Sequence, residues 1–198
     1  MIGQKRNMRI GAIFTVAFLA VSFTVCRGSI EEKKTVIGNE IADFKLKNTD
    51  GNVVSLSGFS QAKGFIIVFT CNHCPFAKLY TKRLNMLNSK YKPLHVPLLA
   101  INSMDTLAYR EESFERMKKR SEKEKYNFPY LQDASQDVAK AFKADHTPQA
   151  YVLWKKGGTW AIEYSVAIDD NGAHPAKSQN NYIENAVSQL LRNEKVSV

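Results

Sequence analysis

An apolar run that ends in two closely spaced cysteines constrains this chain more than any other feature. Residues 64–69 form an apolar stretch of strand length, and Cys71, Cys74 and Pro75 follow as a Cys-x-x-Cys-Pro motif. Beyond the proline, apolar residues recur every three or four positions through Tyr91, which is helical spacing. A buried strand therefore delivers two thiols to the start of an amphipathic helix. The unpaired N–H groups and partial positive charge of a helix N-terminus favour a thiolate.

The cysteine count points to chemistry rather than to a disulfide framework. The sequence has three cysteines, and Cys26 directly follows an apolar N-terminal run, which leaves Cys71 and Cys74 for the folded domain. A secreted domain held together by disulfides carries more cysteines at wider spacings, so one close pair indicates a redox or metal site. In the redox interpretation, Cys74 attacks as a thiolate and Cys71 resolves the mixed disulfide. The alternative is two buried small residues that pack as hydrophobes.

The N-terminal segment, residues 1–28, is predicted to target the protein out of the cytoplasm. Three basic residues among the first nine precede a charge-free apolar stretch over 10–25, which is short for a membrane span and long enough for a signal sequence. Cys26 stands where a bacterial lipoprotein carries its lipid. Lipidation of Cys26, cleavage nearby and an uncleaved membrane anchor stay open. Each places the domain in the periplasm or cell envelope.

The net charge gives no support for nucleic-acid binding. The formal charge is +9, and removal of residues 1–28 lowers it to +5. A second basic feature is the run over 110–125, which contains seven basic and five acidic residues in mixed order. Mixed charges on a predicted helix are typical of a solvated face, and we interpret this run in that way rather than as a binding patch.

Apolar spacing and turn residues predict the remaining elements and an α/β sandwich in which one sheet lies between helices. A parallel strand–helix–strand unit is combined with an antiparallel hairpin. The predicted elements are a tether over 29–35 before a domain over 36–195, a hairpin over 41–56, a strand over 94–101, a helix over 113–126, an extended piece over 128–131, a helix capped by Ser135 and ending at 142, strands over 150–154 and 160–166, and a closing helix over 182–191.

Three features of the chain resemble the thioredoxin-like superfamily and, within it, the redoxin or AhpC/TSA branch. They are the strand–Cys-x-x-Cys-Pro–helix unit at 65–91, Thr147-Pro148 before a strand, and the N-terminal hairpin. The sequence Phe-Thr-Cys-Asn-His-Cys-Pro-Phe at 69–76 looks like the peroxiredoxin-like group of this branch. The resemblance covers about residues 36–192. It implies a thioredoxin-like three-layer sandwich, with a central mixed β-sheet flanked by helices and an N-terminal β-hairpin extension.

The resemblance also implies roles for individual residues. Thioredoxins similar to this chain carry an aromatic residue five positions before the reactive cysteine, and counting from Phe69 places that cysteine at Cys74. Cys71 then lies at the strand end. Pro148 matches the cis-proline that faces the thiols and exposes backbone to an extended substrate. Thr147 and His146 belong to the same substrate-binding loop.

The activity implied is that of an exported thiol–disulfide oxidoreductase without a cofactor. Its partners would be protein disulfides or thiols and an upstream thiol reductant, with the membrane reached through the N-terminal segment. The alternative is a peroxiredoxin-like, antioxidant thiol peroxidase that reduces small peroxides at Cys74. His73 would stabilise the thiolate as a nearby cation or donate a proton, unless it is an exposed loop histidine.

A metal site and a binding module are the other classes that the sequence leaves open. Cys71, His73 and Cys74, together with His95 or His146, offer sulfur and imidazole donors suited to zinc or copper. Copper-delivery proteins of the same fold space their cysteines one residue further apart, which favours the redox interpretation. A redoxin-fold module that binds without catalysis becomes the better interpretation if the cysteines cannot reach a partner disulfide.

Overall fold

The computed structural model describes residues 36–174 and 177–197. The predicted targeting segment at 1–28, including Cys26, and the tether at 29–35 lie outside these described residues. Within the described ranges, no helix has both the length and the apolar character needed to cross a membrane.

The elements follow the predicted order closely. Two short 3-10 turns, Lys92–Leu94 and Arg110–Glu112, accompany them. The strands are β1 (Glu40–Ile41), β2 (Lys45–Asn48), β3 (Val53–Ser55), β4 (Gly64–Phe69), β5 (Leu98–Asn102), β6 (Tyr130–Gln132), β7 (Gln149–Lys156) and β8 (Thr159–Val166), and the helices are α1 (Pro75–Leu79), α2 (Thr81–Tyr91), α3 (Phe114–Lys123), α4 (Asp137–Phe142) and α5 (Tyr182–Leu191).

Eight strands of the described residues form one mixed sheet in the order β1-β8-β7-β4-β5-β6-β2-β3. Strands β4, β5 and β6 run parallel, and the other neighbours are antiparallel. The predicted hairpin is present over residues 45–55, and its first strand joins the sheet beside β6. The predicted start at Ile41 is wrong, because Ile41 lies in β1 and pairs with Trp160 of β8. The predicted fold class is confirmed. The C-terminal ends of the parallel strands share one edge of the sheet, and the cysteines follow β4 at that edge.

Strand β4 is apolar throughout because both of its faces are buried. Ile66 and Val68 belong to the core on one side of the sheet, and Phe65, Ile67 and Phe69 belong to the core on the other side. None of these five side chains is more than 2% exposed. A strand covered on both faces has no position for a polar side chain, which explains the continuous apolar run.

Helices cover the two faces and complete the three layers. Helices α2 and α5 pack on one face, where Leu84 and Val187 are buried in the same cluster as Met117 of α3. Helix α4 packs on the other face, and its Phe142 ring meets Phe69 and Tyr151 edge-on at centroid distances of 5.4 and 5.0 Å. Edge-to-face packing suits the quadrupoles of aromatic rings.

The helix after Pro75 is interrupted, although its spacing predicts one continuous helix. Tyr80 separates α1 from α2, with ψ of −9°. Its side chain is buried, and its hydroxyl donates to the carboxylate of Asp169 at 2.8 Å. Asp169 follows β8 in the sequence, so a long-range hydrogen bond holds the junction between the two helices.

The predicted cap of α4 is wrong. Gln136 occupies the N-cap position with φ of 60°, and the buried carboxylate of Asp133 accepts the N–H groups of Val138 and Ala139 at 3.4 and 2.9 Å. The hydroxyl of Ser135 accepts a single N–H, at 3.4 Å. A carboxylate that takes two orphan N–H groups also complements the positive helix end, so it is a stronger cap than a hydroxyl.

Strand β5 begins four residues later than its apolar run predicts. Pro93 lies inside the 3-10 turn, and Pro97 directly precedes the strand. Proline has no N–H to donate to a sheet ladder, so the two prolines restrict pairing to the residues that follow them. His95, between them, adopts a left-handed conformation with φ of 64°.

The close approach of strands at Gly64 gives a stability prediction. A Cβ at this position would lie 2.2 Å from Cε3 of Trp154 and 2.5 Å from the carbonyl oxygen of Leu153. We expect Gly64→Ala to lower the free energy of unfolding by about 1–3 kcal/mol, because the backbone must move to relieve overpacking. The measurement is urea denaturation of the soluble domain.

Gly172→Ala is the matched control. The nearest atom to its added Cβ is the Tyr80 hydroxyl at 3.6 Å, which is ordinary contact. The control should change stability by less than about 0.5 kcal/mol. Equal losses in the two variants would contradict the packing argument.

Candidate active site

The two cysteines occupy different environments at the end of β4. Cys71 is 1% exposed, whereas Cys74 is partly exposed and stands at the N-cap of α1. Both are free thiols. The strand therefore ends in a buried thiol, and the helix begins at a thiol that solvent can reach.

Thr147 contacts both thiols. Its Oγ1 lies 3.1 Å from the Cys71 sulfur, and its carbonyl oxygen accepts the Cys74 thiol at 3.6 Å. The peptide bond between Thr147 and Pro148 is cis, as the resemblance implied. The structure thus brings four of the predicted site residues together at one point.

A buried carboxylate, Glu112, organises the loop between the cysteines. Its side chain has no exposed surface. It accepts the backbone N–H of Asn72 at 2.7 Å and that of His73 at 2.8 Å, and the side-chain amide of Asn102 at 2.7 Å. The Nδ1 atom of His73 lies 2.6 Å from the same carboxylate. The loop conformation therefore depends on a residue about 40 positions later in the chain.

The hydrogen bonds keep Glu112 ionised despite its burial. Burial raises the pKa of this carboxyl, but the donors from Asn72, His73 and Asn102 outweigh that effect and hold the pKa below its ordinary value. A carboxylate that accepts several N–H groups is favoured in its charged form. The site therefore contains a fixed negative charge behind the cysteine loop.

His73 is more ordered than a free loop histidine. Its ring stacks on Tyr109 with a centroid distance of 5.0 Å and an interplanar angle of 10°. Glu112 holds one ring nitrogen, while the side chain keeps 38% of its surface exposed. The imidazole therefore has one fixed face and one open side, and one of its ring nitrogens lies within 4.8 Å of the Cys71 sulfur.

Buried polar groups extend the network beneath the loop. The Asn72 side chain accepts the Tyr130 hydroxyl at 2.9 Å and donates to the carbonyl of Glu111 at 2.8 Å. Asn102 also donates to the Tyr130 hydroxyl, at 3.2 Å. Hydrogen-bonded polar groups of this kind are stable in a core only when each has a partner.

Arg120 of α3 holds the outer side of the loop. Its Nη1 donates to the carbonyl oxygens of Cys71 and Asn72 at 3.1 and 2.5 Å, and its Nε donates to the Tyr126 hydroxyl at 2.8 Å. The interpretation of the charged run as a solvated face is therefore wrong for Arg120. Its side chain is partly buried and satisfies carbonyls of the cysteine motif.

The environment of Cys71 disfavours its thiolate. Burial is the main cause that raises the pKa of the Cys71 thiol, and the negative charge of Glu112 adds to it, while the hydrogen bond from Thr147 opposes both. The net pKa lies above the ordinary value. Cys71 is thus held as a thiol at neutral pH.

His146 lies in the groove beside the thiols without bonding to them. A groove of about 350 Å³ is lined by His146, Thr147, Pro148, Phe76 and Val166, among others. The His146 ring lies 2.6 Å from its neighbouring carboxylate, Asp145, and is exposed. In the part of the chain that the structure describes, no hydrogen bond joins it to either cysteine.

The metal-ligand alternative fails for His95. The backbone carbonyl of His95 accepts the N–H of Lys63, the residue before β4, whereas Cys71 follows the end of that strand. Six strand residues span about 20 Å. His95 therefore lies at the opposite edge of the sheet. The sequence alone does not show this, because the pairing of β4 with β5 decides where His95 lies.

A different set of potential metal ligands meets at the site. Donor atoms of Cys71, His73 and Glu112 lie within 4.8 Å of one another. Both oxygens of Glu112 are already occupied by N–H donors of the loop. An ion here would have to displace those donors, so the present arrangement fits a hydrogen-bonded acid better than a metal centre.

The sequence pattern does not single out Glu112 and Arg120. Both lie in the mixed-charge run, where nothing in the spacing separates an inward-pointing residue from its solvated neighbours. A weak signal exists for Glu112, because it immediately precedes Ser113, the residue at the N-cap of α3. That position places it in a connection rather than on the helix face.

A family model matches most of the folded region. The model described as the AhpC/TSA family matches residues 37–172. A comparison with curated protein sequences found no significant match.

Solved structures with the same fold include two at more than 30% identity. One is an uncharacterized conserved protein from Geobacillus kaustophilus, with 36% identity, a TM-score of 0.74, and coverage of 83% of this chain and 87% of that chain. The other is a hypothetical protein from Sinorhizobium meliloti, with 31% identity, a TM-score of 0.73, and coverage of 83% and 88%. A lipoprotein thioredoxin from Streptococcus pneumoniae, at 18% identity, shares the fold with a TM-score of 0.56 and coverage of 77% and 99%.

The bonds at Glu112 predict a pH-dependent contribution to stability. Because the folded-state pKa of Glu112 is lowered, its contribution is complete above the unfolded pKa of about 4.3 and is lost as the pH falls through the folded pKa. We expect Glu112→Gln to cost about 1–3 kcal/mol at pH 7, because a neutral amide cannot accept all four donors. The difference from wild type should narrow below pH 4.

Denaturation of both proteins at pH 7 and at acid pH measures this effect. Glu111→Gln is the control, since its side chain is exposed and only its backbone carbonyl joins the network. A wild-type to Glu112→Gln difference that stays constant with pH would mean that shape, and not charge, explains the loss.

Proposed function

Because the chain belongs to the AhpC/TSA family, in the redoxin branch of the thioredoxin-like superfamily, we propose that it is a thiol–disulfide oxidoreductase using Cys71 and Cys74. One observation carries the proposal. A partly exposed thiol begins a helix, a buried thiol stands three residues earlier, and both contact Thr147. This asymmetry suits an attacking cysteine and a resolving cysteine.

Cys74 is the attacking residue in this proposal. It is reachable from solvent and stands at the N-cap of α1, so a substrate disulfide can approach its sulfur. Its thiolate attacks one sulfur of a substrate disulfide and forms a mixed disulfide. The other sulfur of the substrate leaves as a thiolate.

Cys71 then resolves the mixed disulfide. It stays protonated at first, because its burial raises its pKa. Its sulfur attacks the Cys74 sulfur, its proton goes to the departing substrate thiolate, and a Cys71–Cys74 disulfide forms. Two electrons have then passed from the dithiol to the substrate, and an upstream thiol reductant restores the dithiol by the reverse exchange.

Glu112 and His73 serve as positioning and proton-handling groups. Glu112 fixes the N–H groups of Asn72 and His73, so the spacing of the two sulfurs is set before substrate arrives. We propose that the exposed part of the imidazole of His73, the residue before Cys74 in the chain, supplies charge or a proton to the exchange. Preorganisation of this kind lowers the cost of reaching the reactive geometry.

Thr147, Pro148 and His146 form the proposed substrate wall. All three line the groove that also contains Phe76 of α1. An extended segment that carries a cysteine fits such a groove, so protein disulfides or thiols are the proposed substrates. The proposed thiol–disulfide exchange uses no cofactor.

We propose that the domain works outside the cytoplasm, which rests on the sequence of residues 1–28. A mass measurement on the mature protein tests this. A lipid on Cys26 would indicate a lipoprotein, and a new N-terminus near Cys26 would indicate cleavage of the signal. An intact N-terminus would indicate an uncleaved membrane anchor. A full-length chain in the cytoplasmic fraction would overturn export.

Equilibration with glutathione, followed by trapping of free thiols, tests the dithiol mechanism. We expect a reversible Cys71–Cys74 disulfide, whose potential gives the direction of electron flow, with about 30 mV equivalent to roughly 1.4 kcal/mol. The peroxidase alternative predicts that this disulfide is absent and that peroxide oxidises Cys74. If no disulfide forms and peroxide converts Cys74 to a sulfenic acid, the protein is a one-cysteine peroxidase.

The two cysteines should differ in reactivity when each is alone. In Cys71→Ser, Cys74 should be alkylated by iodoacetamide at least tenfold faster than Cys71 in Cys74→Ser, on the order expected for exposed and buried thiols. Both rates are measured at neutral pH by mass spectrometry. Denatured samples of each variant give the matched control, in which the rates should converge. Equal native rates would reverse the assigned roles.

A further inference from the structure

A concave basic surface lies against the cysteine loop, on the side of α3. It encloses a cavity of about 380 Å³ and has Asn72 of the Cys-x-x-Cys motif in its wall. We call it the basic cavity. Its cations are Lys78, Arg116, Lys119, Arg120 and Lys123.

The positive charge of the basic cavity is not neutralised locally. Of the described residues that line it, two are carboxylates, Glu111 and Glu124, against five cations. Among the described residues, the side chains of Lys78, Arg116 and Lys119 take part in no ion pair or hydrogen bond, and the same holds for Lys123. Charges left without partners beside a cavity raise the local concentration of anions.

Arg120 is the exception, and its bonds place the cavity against the loop between the two cysteines. Its guanidinium donates to the carbonyl oxygens of Cys71 and Asn72, so one of the cavity's cations is fixed to the motif itself. No carboxylate pairs with it among the described residues. It therefore contributes positive charge to the cavity without forming an ion pair.

Two residues that line the cavity flank Cys74 in the sequence. Asn72 precedes the cysteine by two residues, and Lys78 follows it by one helical turn, with its N–H donating to the Cys74 carbonyl at 3.2 Å. An anionic group held in the cavity therefore lies beside the segment that carries the attacking sulfur. Its volume is within the range of small-molecule sites, about 300–1,000 Å³.

We propose that the basic cavity is an anion subsite that makes the dithiol prefer low-molecular-weight disulfides carrying carboxylates. The inference rests on the proposed oxidoreductase function and adds small anionic disulfides as a second substrate class beside protein disulfides. The carboxylate lies among Lys78, Arg116, Lys119 and Lys123 while the disulfide meets Cys74. The reaction is the exchange already described, in which the dithiol is oxidised and two small thiols are released.

The test compares three aliphatic disulfides that differ in charge. The probes are 3,3′-dithiodipropionate, a dianion, bis(2-hydroxyethyl) disulfide, which is neutral, and cystamine, a dication. Oxidation of the reduced protein is followed at low salt by thiol trapping, and each rate is divided by the rate of the same disulfide with dithiothreitol. We expect the dianion to exceed the dication by at least tenfold, on the order of electrostatic steering.

High salt and substitutions of the basic residues identify the source of the preference for the dianionic disulfide. At 1 M salt, where the Debye length is about 3 Å, the ratio of the dianion rate to the dication rate should fall toward one. At low salt, the dication should react faster than the dianion in the triple variant Arg116→Glu, Lys119→Glu and Lys123→Glu. The three corresponding Gln substitutions should abolish the difference between the two rates. The Gln variant keeps the test usable if the Glu variant fails to fold.

A control variant carries the same change of net charge elsewhere. Lys63→Glu, Lys92→Glu and Lys195→Glu alter exposed residues outside the basic cavity, and the first two lie at the opposite edge of the sheet. In this variant, the ratio of the dianion rate to the dication rate should stay above half of the wild-type value. If it loses the preference as fully as the α3 variant, net charge is the cause and the subsite is refuted.

The outcomes separate this inference from the function on which it rests. If all three probes oxidise the dithiol at equal normalised rates, the oxidoreductase stands and the anion subsite is wrong. If none forms the Cys71–Cys74 disulfide, the proposed function itself fails. If the small probes react alike and only a disulfide peptide flanked by glutamates shows the charge preference, the surface binds acidic protein and the small-molecule subsite is overturned.

Discussion

The buried carboxylate of Glu112 is the interaction on which the candidate site depends. A carboxylate without exposed surface is costly unless donors surround it, and here the donors are the N–H groups of the loop between the cysteines. The cost of burial is therefore met only when that loop adopts its observed conformation. The same contact joins the connection before α3 to the end of β4, so the cysteine motif and the charged helix form one structural unit.

The sheet explains why this unit forms where it does. Strands β4 and β5 are parallel and buried on both faces, so their C-terminal ends open at one edge, where loops can carry polar groups. The cysteines leave β4 at this edge, and Glu112 lies in the connection that leaves β5. The cis-peptide at Pro148 reaches the same edge because β7 is antiparallel to β4 and begins there. Three connections therefore converge on two sulfur atoms.

The site combines opposite charges on its two sides. Glu112 places a negative charge behind the loop and, with burial, raises the pKa of the Cys71 thiol. Helix α3 places Arg120 and its basic neighbours on the outer side. In the proposed function, the first arrangement keeps the resolving thiol protonated. In the proposed anion subsite, the second holds anionic groups beside the loop that carries the attacking thiol. One segment of mixed charge thus supplies both fields, which is why its bulk composition looked unremarkable.

The sequence by itself determined the strand, the motif and the helix, because period and apolar content record which faces are buried. It also placed the hairpin and the closing helix, and the resemblance supplied the cis-proline. It did not determine the break at Tyr80, the cap at Asp133 or the roles of Glu112 and Arg120. The break at Tyr80 and the roles of Glu112 and Arg120 depend on partners distant in the chain: Asp169 for Tyr80, and the cysteine loop for the two charged residues. A charged residue that points inward has the same local pattern as one that points to solvent, and only the tertiary structure decides which it is, because only there does the buried charge find its donors.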